Sequence, residues 1–400
     1  MFDHEATARE VEARFGRFFR EKINPTAAER DQTGQTFSVE LLREMADLGL
    51  IGFTAPVEIG GAGRSWQEWG HTLEEIGYRC DDAGLPMLLS YRETATNLIY
   101  ESGKEGREHL VERYAEPAVR GEAFIGWLLT EETGPWSLQT KLVRRGDRLI
   151  LNGNKAASTG GMSCTSWIVY AATEDGQDTV AVMVDRDDPG VVVTPLPTLG
   201  LRSIGLAEVS FTDVELDPSR VLAPNDGLTH SQRFINERRV TGASWLPGRM
   251  RALIERVIDD AAPKERFGRE IIDLDTFHAA IGRMYIAMQT VRSTTYRTLE
   301  HTEAGRHDRS FVHDPMLSVG KYVAVECALE LAGLAQKLTG GHGYFDKHDI
   351  HRTLRDFYGL SPILGGQLAI ESTLGSSVIF QHQRRRAASA DTARHKEDCS

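Results

Sequence analysis

The sequence predicts a mainly α-helical protein with a β domain in its middle, and three observations predict it. Apolar residues recur at helical spacing from the N-terminus to about residue 120. From about Glu122 to Asp226, short β-rich runs follow one another with turn residues between them and no intervening helix. Helical spacing then returns from Leu228 to about Arg386. A chain of 400 residues is long enough for two or three domains. The expected division is an N-terminal helical domain over 1–121, a small antiparallel β-barrel or sandwich over 122–227, a C-terminal four-helix bundle over 228–386, and a disordered polar tail over 387–400.

In the first zone, Leu41, Leu42, Met45, Leu48 and Leu50 space as a helix that Pro56, Gly60, Gly61 and Gly63 break. Leu73, Ile76, Leu88, Leu89, Leu98 and Ile99 carry the helical pattern on. The strand candidates include 149–151, 168–170, 180–184, 191–193 and 209–211, punctuated by turn signals such as Asn152-Gly153 and Asp188-Pro189-Gly190. In the last zone, Met316, Val319, Val323, Cys327, Leu331, Leu334 and Leu338 form one stripe of a long helix.

Composition excludes several classes. Hydrophobic residues make up 40% and charged residues 26%, an ordinary globular balance. A net charge of −12 is the opposite of a nucleic-acid footprint. Cys80, Cys164, Cys327 and Cys399 include no CxxC pair, so neither a zinc knuckle nor a disulfide framework is expected. The first residues lack a basic stretch followed by an apolar core, and no run approaches the roughly twenty apolar residues of a membrane helix. A cytoplasmic, membrane-free protein is the expectation. No GxGxxG or GxxxxGK[ST] follows a strand, which disfavours a nicotinamide dehydrogenase or P-loop kinase.

Several local motifs occur in a telling order. They are Leu48-Gly49-Leu50-Ile51-Gly52 through Pro56 to Gly60-Gly61-Ala62-Gly63; Glu74-Glu75-Ile76-Gly77; Thr130-Glu131; Leu151-Asn152-Gly153-Asn154-Lys155; and Leu199-Gly200-Leu201-Arg202 with Phe211-Thr212-Asp213-Val214. Arg266-Phe267-Gly268 with Ile271, and Gly340-Gly341-His342-Gly343-Tyr344 followed by Arg352 and Arg355-Asp356, complete the series. Together they resemble the acyl-CoA dehydrogenase superfamily. The resemblance implies FAD as cofactor and an acyl thioester, on CoA or a carrier protein, as substrate. It also implies an electron-transfer flavoprotein or oxygen as acceptor, and a homotetramer or dimer.

The family reaction takes a proton from the carbon beside a thioester carbonyl and a hydride from the next carbon. Flavin accepts the hydride, and a carboxylate of raised pKa takes the proton. The commoner position for that carboxylate maps to Leu364, which cannot take a proton. The alternative, used by isovaleryl and long-chain branches, maps to Glu237, followed by Arg238; Pro247 also resembles the isovaleryl-type helix. The plain alternatives are an exposed helical glutamate, a lost base and a solvated arginine; Glu371 lies too far along to repair the register. Arg238 beside the base would bias it toward ionisation.

By the same resemblance, Trp127, Leu129 and Thr130 face the flavin ring, with core packing the alternative for Trp127, and Thr159 lies near flavin N5. Ala157 stands where an aromatic wall is usual. After Glu131 the usual Pro-x-Ala-Gly-Ser-Asp turn becomes Glu132-Thr133-Gly134-Pro135-Trp136-Ser137, shorter by about three residues, with Ser137 the candidate replacement for the turn's serine. Lys264, Arg266, Phe267, Asp275, Lys337, Gly340, Gly341 and Gly366 are the remaining cofactor candidates; Lys264 and Asp275 replace an arginine and a glutamine. The glycines allow close backbone approach, or merely end a helix. The altered loop points to an unusual substrate. The competing expectations are a monooxygenase or oxidase of the same fold and a catalytically silent thioester-binding subunit.

Overall fold

This computed structural model describes residues 3–104, 106–134, 137–266, 268–305, 314–345, 349–363 and 365–397, without the side chains of 305, 342, 349 and 387–397. The N-terminal helices are α1 (His4–Val11), α2 (Ala27–Thr33), α3 (Val39–Asp47), α4 (Trp66–Arg79), α5 (Gly84–Gly103), α6 (Glu108–Leu110) and α7 (Glu116–Val119). Local chemistry fixes their starts. Ser65 and Glu68 form a reciprocal capping box on α4, the Ser65 Oγ accepting from the Glu68 amide at 3.1 Å and the Glu68 carboxylate from the Ser65 amide at 2.9 Å. The turn that the Pro and Gly residues predicted is held from behind by Glu93 of α5, whose buried carboxylate accepts from the amides of Gly52, Phe53 and Thr54.

The β segment comprises β1 (Ile125–Leu128), β2 (Lys141–Arg145), β3 (Arg148–Ser158), β4 (Ser166–Thr173), β5 (Thr179–Asp185), β6 (Val191–Pro195), β7 (Ala207–Leu216) and β8 (Val221–Ala223). They form one sheet in the order β6-β7-β3-β2-β4-β5-β8, with β1 also on β4. The expected all-antiparallel pairing needs one correction: β1 and β2 both run parallel to β4. Strand β4 is eight residues long and offers one edge to two short strands in series, β1 at Ser166–Val169 and β2 at Ala172–Thr173. The loop between β1 and β2 therefore folds back against the sheet.

The C-terminal helices are α8 (Gly227–Thr241), α9 (Leu246–Ala261), α10 (Asp275–Gly305), α11 (Pro315–Thr339), α12 (Asp349–Gly359) and α13 (Gln367–Glu397), with a hairpin of β9 (Glu265–Arg266) and β10 (Arg269–Glu270) before α10. Two expectations change. Helix α13 continues to Glu397 through the segment read as a disordered tail, where Ala387, Ala388, Ala390 and Ala393 favour helix. The buried face of α11 carries Leu317, Lys321, Ala324, Ala328, Leu331 and Ala335, whereas Val319 of the predicted stripe is 37% exposed. Small residues let this face approach its neighbours closely, which a count of large apolar side chains misses. None of the helices among the described residues is long and apolar enough to cross a membrane.

The β segment is locked to the last helices by two of the sequence motifs. Asp356 accepts from the Leu201 amide at 2.7 Å, and Arg355 donates to the Leu199 carbonyl at 2.8 Å. Glycine is required between them, since a Cβ on Gly200 would lie 2.0 Å from the Arg355 carbonyl oxygen. We expect Gly200→Ala to lower stability by about 2 kcal/mol or more, because backbone meets backbone there and no side chain can yield. Denaturant titration checks this; a loss below about 0.5 kcal/mol would refute the packing argument.

Candidate active site

Strand β1 emerges from the core at the position predicted for the cofactor. Residues Ile125 to Leu129 are all buried, whereas Thr130 is exposed. The Thr130 carbonyl accepts from the Ala156 amide at 3.0 Å, which sets the end of β1 beside the half-buried Ala157 and Thr159 at the end of β3. The structure thus brings Leu129, Thr130 and Thr159 to one place. Two polar hydroxyls at the rim of a buried strand pair fit a planar polar ring laid over that edge, the fit FAD requires.

What holds this edge is a buried ion pair. Lys155 is fully buried, and its Nζ lies 2.6 Å from Glu131 Oε1 and donates to the Leu129 carbonyl at 3.4 Å. Glu131 also accepts from the amides of Gln139 at 2.6 Å and Thr140 at 3.2 Å, closing the loop that replaces the usual glycine-serine turn. Burial alone would raise the Glu131 carboxyl, but hydrogen bonds from Lys155 and Thr140 outweigh it and hold it below its ordinary value. Burial pulls the Lys155 ammonium down to about 8. The Thr-Glu and Leu-Asn-Gly-x-Lys motifs are two halves of one anchor. Ser137 is exposed and lines an open cleft of about 490 Å3, together with Asp178 and Asp226; Pro135 and Trp136 lie outside the described residues.

Trp127 is a core residue. Its ring stacks on Phe234 of α8 at 4.7 Å and meets Tyr170 edge-on at 5.7 Å, while Tyr91 Oη accepts from its amide at 2.8 Å. Sequence reasoning missed a polar chain nearby. His230 Nδ1 lies 2.8 Å from Tyr170 Oη and its Nε2 2.7 Å from Ser102 Oγ, while Ser102 donates to the Leu98 carbonyl. Ser102 therefore accepts from Nε2–H, and Nδ1 accepts from Tyr170. Burial lowers His230 to about 4, consistent with a neutral ring that links α5, β4 and α8.

Helix α8 carries the candidate base. Glu237 is half-buried, so it is not the exposed glutamate of the plain reading. Arg238 is 1% exposed, which removes the solvated-arginine alternative. Its guanidinium turns toward α5, donating to Ser90 Oγ at 2.6 Å and Met87 Sδ at 3.3 Å, with its Nε unpartnered. Burial lowers it to about 10. Neighbours one apart on a helix point to different sides, and the Arg238 guanidinium lies over the Tyr91 ring at 5.4 Å. Leu364 lies outside the described residues, and no acid occurs anywhere from Phe357 to Ile370.

Beside α8 is a small cleft of about 20 Å3, bounded by α5, α8, α11 and the end of α12, and lined by apolar residues with Arg238, Arg239 and Lys321. Lys321 was not foreseen; its place on the closely packed face of α11 was the available signal. Its ammonium donates to the carbonyls of Ser361 at 3.0 Å and Gly365 at 2.9 Å and to Gln367 Oε1 at 2.9 Å. It thereby fixes the loop before α13 that contains Gly366.

The other cofactor candidates lie around the β9–β10 hairpin and the end of α11. Arg266 is exposed on β9, and its Nη2 comes within 3.6 Å of the position a Cβ on Gly340 would take. Gly340 has a φ of 59°, a conformation that favours glycine. Exposed Lys337 and Gly341 flank it, and exposed Asp275 opens α10. Lys264 is paired with Asp260 at 2.6 Å, and Phe267 lies outside the described residues.

A helical–β–helical chain with this hydroxyl-rimmed sheet edge fits the class of flavin-dependent oxidoreductases. Comparison with known proteins places it further. The acyl-CoA dehydrogenase N-terminal domain matches residues 5–122, the middle domain 128–214 and the C-terminal domain 225–375. The chain belongs to the acyl-CoA dehydrogenase family, whose cofactor is FAD. A probable acyl-CoA dehydrogenase of Bacillus subtilis is 27% identical over 348 residues, 85% of this chain and 89% of that protein. Mitochondrial isovaleryl-CoA dehydrogenase of Pongo abelii is 26% identical over 360 residues, 87% of this chain and 83% of that protein. Among solved structures, the prolyl acyl carrier protein oxidase AnaB superposes with a TM-score of 0.86 at 20% identity, covering 94% of this chain and all of that one, a likeness of fold.

Removing one member of the Glu131–Lys155 pair leaves a buried, uncompensated charge. Glu131→Gln and Lys155→Met should each cost about 3–5 kcal/mol, and the double variant should recover most of that loss. Chemical denaturation measures all three; additive losses in the double variant would show that the pair is not the anchor.

Proposed function

We propose that this enzyme introduces an α,β double bond into an acyl thioester, with Glu237 as the general base. The observation that carries this is the half-buried Glu237 on α8, in a chain whose usual base position holds leucine and has no acid nearby. Bound FAD supplies the hydride acceptor. Thr130 and Thr159 offer hydroxyls to its ring edge, and the Glu131–Lys155 pair keeps them in place before any ligand arrives. Arg238 is a buried cation one residue on, and its field favours the ionised form of Glu237 before proton transfer.

The thioester carrier is CoA or a carrier protein, and the electrons pass to an electron-transfer flavoprotein, or to oxygen where the site admits it. A homo-oligomer is supported by the exposed Val378, Ile379 and Phe380 of α13 and Tyr285 and Ile286 of α10, large apolar side chains that assembly would cover.

Anaerobic titration of the purified flavoprotein with a panel of acyl thioesters tests the base. The wild type should bleach in the flavin band, while Glu237→Gln should bind the same thioester within a few-fold but bleach about 10²–10⁴-fold more slowly. Equal bleaching rates would place the base elsewhere. Tight binding without bleaching in the wild type, or an oxygenated product in air, would overturn the dehydrogenase reading.

A further inference from the structure

Among the described residues, strand β1 is paired with β4 alone, Trp127 lying opposite Ile168 in a parallel register. At Trp127 a side chain adds a second partner. The Tyr91 hydroxyl of α5 accepts from the Trp127 amide at 2.8 Å and donates to the Trp127 carbonyl at 3.0 Å. In extended backbone the amide and carbonyl of one residue point to the same side, so a single hydroxyl can serve both, as a neighbouring strand would. Tyr91 is 3% exposed and Trp127 8%, so both ends of this link are withdrawn from water. Burial pushes the Tyr91 phenol well above its ordinary value, and it keeps the proton that it donates.

The ring of the same residue rests on α8. It meets Phe234 edge-on at 5.1 Å, and the Arg238 guanidinium lies over it at 5.4 Å. Phe234 in turn stacks on the Trp127 indole at 4.7 Å, which closes a triangle of three rings between α5, β1 and α8. Glu237 follows Phe234 by three positions on α8, so the two lie on adjoining parts of its surface. Thr130 follows Trp127 by three positions, where the chain leaves β1. The candidate groups of the reaction thus sit one step from this triangle, on two different elements.

The Ala156 amide fixes the end of β1 against β3, and the Glu131–Lys155 pair fixes the loop that follows. Neither contact includes α8. We propose that Tyr91 is a positioning residue for the reaction: its hydroxyl holds β1 and its ring holds α8, so that the strand edge bearing Thr130 and the helix bearing Glu237 keep one spacing. An error of about 1 Å in such a spacing costs a reaction roughly 10²-fold. The inference rests on the dehydrogenase reading for its effect on the chemistry, and on the contacts alone for the link.

Tyr91→Phe keeps the ring and removes the hydroxyl, and Phe234→Leu keeps the hydrogen bonds and removes the aromatic contact on α8. Both variants are loaded with flavin and compared with the wild type at a temperature where all are folded. They are titrated anaerobically with butyryl, isovaleryl and hexanoyl N-acetylcysteamine thioesters. The limiting rate of flavin reduction should fall about 10–100-fold in each variant, while thioester binding stays within about threefold. A residue that only adds stability would leave the limiting rate of the folded enzyme unchanged. Because both changes act through one ring, their losses should fall short of multiplying in the double variant. Hydrogen exchange read by mass spectrometry, which needs no turnover, should quicken over both 125–130 and 231–241 in Tyr91→Phe, with β7 unchanged. Phe234→Leu decides the rate test alone should Tyr91→Phe not fold.

Limiting rates within about threefold of the wild type would overturn the positioning role and leave dehydrogenation standing. Faster exchange in β1 with α8 unaltered would overturn the link itself. A wild type that none of the three thioesters reduces, with exchange altered in both elements, would count against the dehydrogenase reading and leave the link in place.

Discussion

The buried pair of Glu131 and Lys155 is the interaction on which the candidate site depends. It joins three segments that sequence order keeps apart: the end of β1, the middle of β3 and the loop that leads into β2. Without it, the loop from Glu132 to Gln139 would have no reason to return to the sheet. The hydrogen bond from the Ala156 amide to the Thr130 carbonyl sets the edge itself, and the pair sets the loop beside it. Such a pair contributes little net stability, since desolvating two charges offsets most of their attraction. Its effect is on geometry: one arrangement satisfies both charges, and every other leaves one of them buried alone.

Much of this was legible in the sequence, but not always for the reason the sequence offered. Thr130-Glu131 and the Asn-Gly-x-Lys run were visible as motifs around a flavin. That their glutamate and lysine hold each other was not, because a separation of 24 residues carries no periodic signal that closes the distance. The Leu199–Arg202 and Arg355-Asp356 motifs were likewise read separately, and only the fold shows that Gly200 is glycine to let one backbone lie on the other. The parallel pairing of β1 and β2 with β4 was hidden for a different reason. Alternation reports that a strand exists and which face is buried, but it does not report direction.

On the helical side the limit was side-chain size. The stripe through Val319 and Val323 is more apolar than the one through Lys321, Ala324 and Ala328, yet the second is buried. A stripe of small residues buries less area per side chain but allows helices to approach, and that closeness sets a lysine beside a small cleft. Arg238 could have been found: Ser231, Phe234, Arg238 and Thr241 recur at intervals of three, four and three, and all four are buried. A charged residue inside such a run is either paired or waiting for a partner.

That distinction separates the two lysines buried among the described residues. Lys155 is satisfied by an internal carboxylate on the sheet that carries it, so its charge is complete in the folded protein and its role is structural. Lys321 is also buried, but its hydrogen-bond partners are neutral oxygens and its nearest acid is the exposed Glu326. Neutral acceptors satisfy the geometry of an ammonium without cancelling its charge.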